Sequence, residues 1–326
     1  MNAAFLWQST AIHWSGIFAA LGLLAGGLCL ASLQLFRCRR MGALGLFFPA
    51  AVLFSLVFCR VGHWYSFPLQ YESFASAMTD YSAGGFSLLP GALLGLLLAA
   101  ALVRLSGLTD DLPEFLDTLA PALALALAVG RLGSFFDLSC RGSFLPPQSW
   151  LQQPPFSAPV SNTDGSVSWC FATFAWQAMA AGALFVLCLV LLGTIRREKK
   201  GHVFALFLNF YAAGEIVLDS TRYDAAFLRS NGFIHVPQLV CLVLLAAVCA
   251  VYSAAILRRR GFRRWLPGLW GAFLALGGLG GYMEYFVQRH GDRFVLAYSV
   301  MAACFLLMAG INTLLFRQSK KKSTDG

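Results

Sequence analysis

The chain has 326 residues, of which 58% are hydrophobic and 12% are charged, whereas a soluble domain carries about 25% charged residues. This composition excludes an ordinary soluble protein and predicts an all-α, polytopic helical bundle in a membrane. The formal net charge of +9 is explained by basic residues beside the spans, so no nucleic-acid partner is expected.

Apolar runs long enough to cross a bilayer core of about 30 Å recur along the chain. We interpret nine of them as transmembrane helices, at residues 13–35, 42–58, 84–103, 115–133, 171–193, 202–218, 237–257, 266–287 and 294–315. No basic residue precedes the first run, so we interpret it as a retained helix and not as a signal peptide. Seventeen of the 24 Lys and Arg residues lie on one set of alternating connections. This bias predicts an external amino terminus and a cytoplasmic carboxyl terminus.

The second span leads into a soluble segment, residues 59–83, that begins with Arg60 and His63. His63 is either an ordinary interface residue or, because imidazole titrates near neutral pH, a candidate base. Gly84-Gly85-Phe86-Ser87 then leads into the third span. The backbone amides of this segment either face an anion or form an ordinary turn.

The fourth span ends in Gly130-Arg131-Leu132-Gly133-Ser134. Gly130 and Gly133 are three residues apart, so they share a helix face and allow close approach of a neighbouring helix or a lipid headgroup. Arg131 either extends from the helix end to the membrane interface or lies where a phosphate would bind.

The longest soluble segment, residues 137–170, is rich in proline and has the length of a lid or a binding loop. It contains Cys140 and Cys170, and an oxidising exterior would allow a disulfide between them. Most of the other cysteines lie in apolar spans, where they behave as small hydrophobic residues. Because the chain has no metal-binding or glycine-rich nucleotide motif, we expect no metal ion, nucleotide or other cofactor.

The sixth span ends with four polar residues, Tyr211, Glu215, Asp219 and Arg222, spaced i, i+4, i+8 and i+11. If the segment is helical, these side chains share one face, which cannot point at lipid. They form either an internal ion-pair network or a polar wall where Arg222 binds an anion and a carboxylate handles a proton.

The four polar segments, at residues 60–63, 84–87, 130–134 and 211–222, all fall on the external side under the predicted topology. Guanidinium matches the geometry of phosphate oxygens, so several arginines at one side of a membrane favour a phosphate ligand. A phospholipid headgroup in the outer leaflet is therefore the substrate that we expect.

Gly130-Arg131-Leu132-Gly133-Ser134-Phe135 resembles the Gly-Arg-x-Gly-Asn-Phe signature of the prolipoprotein diacylglyceryl transferases. Other segments resemble that family in the same order over roughly residues 5–257. They are Ile12-His13-Trp14-Ser15-Gly16, Arg60, Gly84-Gly85-Phe86-Ser87, the spacing from Tyr211 to Arg222, and Pro237-Gln238-Leu239.

The chain departs from the family pattern at several polar positions, which makes it a divergent member. The departures are Leu88, Leu89 and Pro90 where the family has a histidine, Ser134 for asparagine, Glu215 for arginine, Asp219 for glutamate, and Trp176-Gln177 for Tyr-Glu. Two predicted spans after residue 258 also exceed the family's usual seven.

The resemblance implies transfer of diacylglycerol from phosphatidylglycerol to the lipobox cysteine thiol of a prolipoprotein, with release of glycerol phosphate. It implies Arg131 and Arg222 as phosphate clamps. Since the family's histidine is missing, the base is His63, Glu215 or Asp219, or the arginines alone activate the substrate thiol. The residues expected to bind substrate are Arg60, Gly84, Gly85, Ser87, Gly130, Gly133, Ser134, Tyr211 and Gln238.

We expect a transferase-like domain at 1–257, two additional helices at 258–317 and a basic cytoplasmic tail at 318–326. The expected location is the bacterial inner membrane, among membrane lipids, with the site facing outward. Two alternatives stay open. A non-catalytic homologue that binds lipid or lipoprotein is favoured by the missing histidine, whereas the nearly charge-free middles of the spans disfavour an anionic lipid transporter.

Overall fold

The computed structural model describes residues 4–7, 10–37, 41–80, 86, 88–109, 111–136, 140–161, 164, 166–194, 200–224, 226–228, 231–289 and 293–320. The helices are α1 (Trp14–Phe36), α2 (Gly42–Ser66), α3 (Phe74–Thr79), α4 (Leu88–Leu105), α5 (Leu112–Leu132), α6 (Thr173–Thr194), α7 (His202–Ser220), α8 (Val236–Arg260), α9 (Trp265–Arg289) and α10 (Phe294–Lys320). The strands are β1 (Ala4–Trp7), β2 (Thr10–His13), β3 (Ser157–Ser161), β4 (Val167–Phe171), β5 (Phe227–Leu228) and β6 (Asn231–His235).

Every predicted span coincides with one long helix, which confirms an all-α polytopic membrane protein. Among the described residues, seven helices are long and apolar enough to cross a membrane. The apolar stretch of α4 is shorter, and α9 is not among the seven although it has 25 residues. The count of nine crossings and the orientation therefore stay predictions.

The chain forms two compact units that are interleaved in sequence. The first comprises residues 1–136, 185–204 and 226–232, and the second comprises residues 137–184, 205–225 and 233–326.

In the first unit, small residues bring helices into close contact. A Cβ atom added at Gly91 of α4 would lie 2.2 Å from the backbone nitrogen of Cys59 in α2. A Cβ at Gly22 of α1 would lie 2.6 Å from the carbonyl oxygen of Ala126 in α5. The backbones of these pairs can approach only because no side chain separates them, as is typical of membrane helices.

A buried carboxylate fixes the beginning of α7. Asp117 of α5 accepts hydrogen bonds from the backbone N–H groups of Gly201 and Phe204, at 2.8 and 3.0 Å. The first amides of a helix have no partner within the helix, so a carboxylate stabilises them. The contact therefore stabilises the first turn of α7.

The second unit holds the polar end of α7 together with α8, α9, α10 and a small antiparallel sheet. Strands β3 and β4 pair from Ser157 opposite Phe171 to Ser161 opposite Val167. The predicted lid segment thus contains regular structure, in the form of two antiparallel strands.

Candidate functional site

The end of α7 buries two carboxylates, as its spacing predicts. Glu215 is 4% exposed and Asp219 is 0% exposed. Tyr211, one turn earlier, stacks its ring on Phe207 with 5.7 Å between the centroids. Carboxylates buried this deeply need polar partners, because burial of an unpaired charge is costly.

Asp219 is shared between a cation and a histidine. Its Oδ1 accepts a hydrogen bond from Nη1 of Arg222 at 3.1 Å, and its Oδ2 lies 3.0 Å from Nδ1 of His235. His235 is 2% exposed and immediately precedes α8. Sequence analysis missed His235, because a single histidine before an apolar span has no local signature. The nearby Pro237-Gln238-Leu239 segment was the only signal that pointed to this place.

Arg222 lies between two carboxylates. Its Nε donates to Oδ1 of Asp224 at 3.0 Å, and Asp224 in turn accepts from the backbone N–H of Cys140 at 3.0 Å. Burial alone would lower the pKa of Arg222, but Cys140, Asp219 and Asp224 together raise it above its usual value. The guanidinium is therefore held as a cation, and within the described residues its Nη2 donates to no partner.

The backbone around Arg222 extends the small sheet. Arg222 pairs with Gly142 as an isolated antiparallel bridge, and Tyr223 N–H donates to the Arg141 carbonyl at 2.9 Å. On its other side Gly142 donates to the Phe171 carbonyl of β4 at 2.8 Å. A Cβ at Gly142 would lie 2.7 Å from the Cβ of Phe171, so only glycine fits between β4 and the segment that carries Arg222. The sheet thus fixes the backbone that carries Arg222.

Glu215 contacts Gln177 of α6, whose Nε2 donates to Oε1 of Glu215 at 3.0 Å. Both residues differ from the family pattern, which has an arginine at position 215 and a glutamate at position 177, and the two differing side chains are in contact. Each side chain supplies what the other lacks, an N–H donor and a carboxyl acceptor.

Gln238 ties α8 to α7. Its Oε1 accepts from the His235 backbone N–H at 3.0 Å, and its Nε2 donates to the Ile216 carbonyl at 3.3 Å. Sequence analysis assigned Gln238 to substrate binding. Through these contacts, the Gln238 side chain holds the backbone of His235 beside α7.

In the first unit, the glycines of the Arg131 segment pack on α1. A Cβ at Gly133 would lie 2.7 Å from the Cβ of Phe18, and Gly130 N lies 3.0 Å from a Cβ placed at Gly22. Of the two interpretations of these glycines, close packing of a neighbouring helix is the one observed. Arg131 is 8% exposed, and Ser134 is also buried. Arg131 is therefore not extended into the solvent at the interface.

Arg60, also in the first unit, is 1% exposed and holds the segment after α2. Its guanidinium donates to the backbone carbonyls of Ala77 and Asp80 and lies 5.0 Å from the ring centroid of Tyr71. The Tyr71 hydroxyl lies 3.0 Å from Nδ1 of His63. The predicted substrate-binding residues Gly84, Gly85 and Ser87 lie outside the described residues.

Cys140 and Cys170 both carry free thiols, so the disulfide that the sequence left open is not formed. Burial raises the pKa of the Cys170 thiol. Among the described residues, no group of three or more His, Cys, Asp or Glu side chains could hold a metal ion.

The model of the prolipoprotein diacylglyceryl transferase family matches residues 2–254. The chain belongs to this family. Membership confirms the resemblance drawn from the motifs. Together with the apolar helices, it makes the chain a bacterial membrane protein of a transferase family in lipoprotein biosynthesis.

Relatives named phosphatidylglycerol–prolipoprotein diacylglyceryl transferase are similar over most of their length. The protein of Clostridium botulinum strain Loch Maree is 23% identical over 263 residues, covering 77% of this chain and 95% of the relative. Those of Clostridium novyi and Clostridium kluyveri are 27% and 26% identical, covering 72% and 77% of this chain and 88% and 94% of the relatives. Helices α9 and α10 lie beyond the part that matches the family.

Proposed function

We propose that this chain transfers diacylglycerol from phosphatidylglycerol to the lipobox cysteine thiol of a prolipoprotein. The observation that carries the proposal is the buried cluster in which Asp219 contacts both Arg222 and His235. The family match and the names of the relatives support the same reaction.

The reaction forms a bond from the substrate sulfur to the glyceryl carbon and breaks the bond from that carbon to the phosphate oxygen. The thiol loses its proton, and the departing glycerol phosphate gains negative charge. Such a step needs a proton acceptor and a fixed cation, because the thiolate is the nucleophile and the developing charge must be stabilised.

Arg222 supplies the cation in the second unit. Asp219 and Asp224 hold its Nη1 and Nε, which leaves Nη2 to donate to a phosphate oxygen. Two carboxylates fix the orientation of the guanidinium, so little freedom is lost when the anion binds. The family signature separately supports Arg131 of the first unit as a phosphate-binding residue, with Gly130, Gly133 and Ser134 next to it in sequence.

The proton acceptor in this proposal is the pair of His235 and Asp219. The Asp219 carboxylate, 3.0 Å from Nδ1, orients the imidazole for proton transfer. Asp219 also stabilises the imidazolium that forms after proton transfer. Of the bases named from the sequence, Asp219 therefore acts through His235, while His63 and Glu215 contact Tyr71 and Gln177.

The test is transfer of labelled diacylglycerol from phosphatidylglycerol to a lipobox peptide by the purified full-length protein. We expect Arg131→Gln, Arg222→Gln and His235→Gln each to lower turnover by about 100-fold or more. Arg289→Gln is the matched control, because Arg289 is exposed and contacts only the Tyr285 ring among the described residues. Unchanged turnover in Arg222→Gln and His235→Gln would exclude the assigned roles.

A non-catalytic homologue that binds lipid is the second candidate, and the contact between Glu215 and Gln177 favours it. Glu215 stands where the family pattern has an arginine, so this position carries an acid that binds Gln177 in place of a cation. A folded protein that binds phosphatidylglycerol vesicles but transfers no lipid to the peptide would establish this candidate and reject the transferase.

A further inference from the structure

Helix α10 is built into the core of the second unit. Met301, Met308 and Leu315 are completely buried along it. A Cβ at Gly280 of α9 would lie 2.7 Å from the ring of Phe305, so glycine allows α9 and α10 to pack closely. The two helices beyond the family match are therefore part of the unit that carries Asp219 and Arg222.

A buried amide pair joins α10 to α7. Nδ2 of Asn312 donates to Oδ1 of Asn209 at 2.7 Å and to the Leu245 carbonyl of α8 at 3.0 Å. Asn312 and Asn209 are almost completely buried. Because a buried amide without a partner is costly, this pair specifies how α10 aligns with α7 and α8.

Two further hydrogen bonds reach the segments that carry the catalytic side chains. The Tyr298 hydroxyl of α10 donates to the Ser220 carbonyl at 3.3 Å, and Ser220 is the last residue of α7, directly after Asp219. Gln288 Nε2 of α9 donates to the Phe233 carbonyl at 2.7 Å, two residues before His235. The last carbonyls of a helix have no partner within the helix, so a hydroxyl from another helix fixes its end.

We propose that Tyr298 and Gln288 are positioning residues that hold Asp219 and His235 in contact. Helices α9 and α10, which lie beyond the family match, then serve the reaction by supporting the backbone on both sides of the site. The expected effect on kcat rests on the proposed function. The expected effect on the backbone at the end of α7 can be measured without any turnover.

The first experiment compares Tyr298→Phe with Ser299→Ala in the full chain. Ser299 is the neighbouring residue, and among the described residues its hydroxyl donates only to the Val295 carbonyl of its own helix. We expect Tyr298→Phe to lower kcat about fivefold, with KM for the lipobox peptide unchanged, since one neutral hydrogen bond is lost. The double variant Tyr298→Phe, Gln288→Leu should lower kcat about 25-fold if both bonds act independently.

The second experiment measures backbone hydrogen exchange by mass spectrometry in phosphatidylglycerol nanodiscs. Exchange over residues 216–224 should rise about fivefold in Tyr298→Phe and stay unchanged in Ser299→Ala. The Asn312→Leu variant should raise exchange in the same segment relative to its control Thr313→Val, whose hydroxyl bonds its own helix at Ala309.

The outcomes separate the two proposals. If the wild-type protein transfers no lipid but Tyr298→Phe loosens residues 216–224, positioning stands and the proposed function fails. If Tyr298→Phe and the double variant match the wild type in kcat and in exchange, the positioning role is wrong. Equal thermal unfolding of each variant and its control excludes general unfolding as the cause of a slower kcat.

Discussion

Two arginines, one in each compact unit, are held in different ways. Arg60 of the first unit is completely buried and donates to the backbone carbonyls of Ala77 and Asp80. Arg222 of the second unit is partly exposed and bonds the carboxylates of Asp219 and Asp224. A guanidinium bound to main-chain carbonyls anchors a segment, whereas one that carboxylates orient beside solvent remains available to an anion.

The two arginines were predicted to have different roles, Arg222 as a phosphate clamp and Arg60 as a substrate-binding residue, and their contacts differ accordingly. We propose that Arg60 contributes mainly to the structure of the segment before the third span and that Arg222 contributes to chemistry.

Substitution of Asp219 should have the largest effect. Asp219→Asn removes the charge that Arg222 and His235 share, so we expect turnover to fall about 100-fold or more and the free energy of unfolding to fall by about 3 kcal/mol. The assays are lipid transfer and unfolding in detergent.

Asp164→Asn is the control for Asp219→Asn. Asp164 is exposed, and hydrogen bonds from the side chain and backbone of Ser166 lower the pKa of its carboxyl. Asp164→Asn should leave turnover and the free energy of unfolding unchanged. Full activity in Asp219→Asn would contradict the proposed role of the cluster.

Substitution of Arg60 should lower stability more than it lowers the rate of the chemical step. Arg60→Leu leaves the carbonyls of Ala77 and Asp80 without this donor, which should lower the free energy of unfolding by about 2 kcal/mol. Hydrogen exchange should rise over residues 74–80, while Arg222→Gln should leave that segment unchanged. If Arg60→Leu abolishes transfer without loosening residues 74–80, Arg60 belongs to the chemistry.

The glycine contact beside Arg131 gives a smaller, steric effect. Gly133→Ala places a methyl group 2.7 Å from the Cβ of Phe18, so we expect a loss of about 1–3 kcal/mol in unfolding free energy. Gly182→Ala is the control, because a Cβ at that position of α6 meets no atom within 4 Å among the described residues outside its own stretch of helix. Equal melting temperatures in the two variants would show that α1 and α5 tolerate the methyl group.

Substitution of Glu215 should have the smallest effect. Glu215→Gln keeps an acceptor for Gln177 and removes only the ionisable group, so turnover should stay within about threefold if His235 accepts the proton. The pH profile of kcat should also keep its shape. A loss of activity that is restored in Glu215→Asp would instead assign the base to Glu215.

Local patterns predicted the membrane class, the long apolar helices of the described residues, and the placement of Glu215 and Asp219 on one face of α7, whereas Arg222 lies beyond the end of that helix. Hydropathy and the 3.6-residue helical period depend only on neighbours in sequence, so they can be seen without a fold. The same reasoning predicted that Gly130 and Gly133 allow a close approach, but it left open whether a helix or a lipid makes it.

The sequence by itself determined that this chain is a helical membrane protein whose polar residues gather at helix ends, because apolar length and spacing are local properties. Only the tertiary structure decided that His235 contacts Asp219, 16 residues away, and that Gln177 contacts Glu215, 38 residues away. It also decided that Gln238 and Tyr298 bond the backbone at the end of α7. Hydrogen bonds depend on distances of about 3 Å between atoms, and the path of the chain through other helices sets those distances.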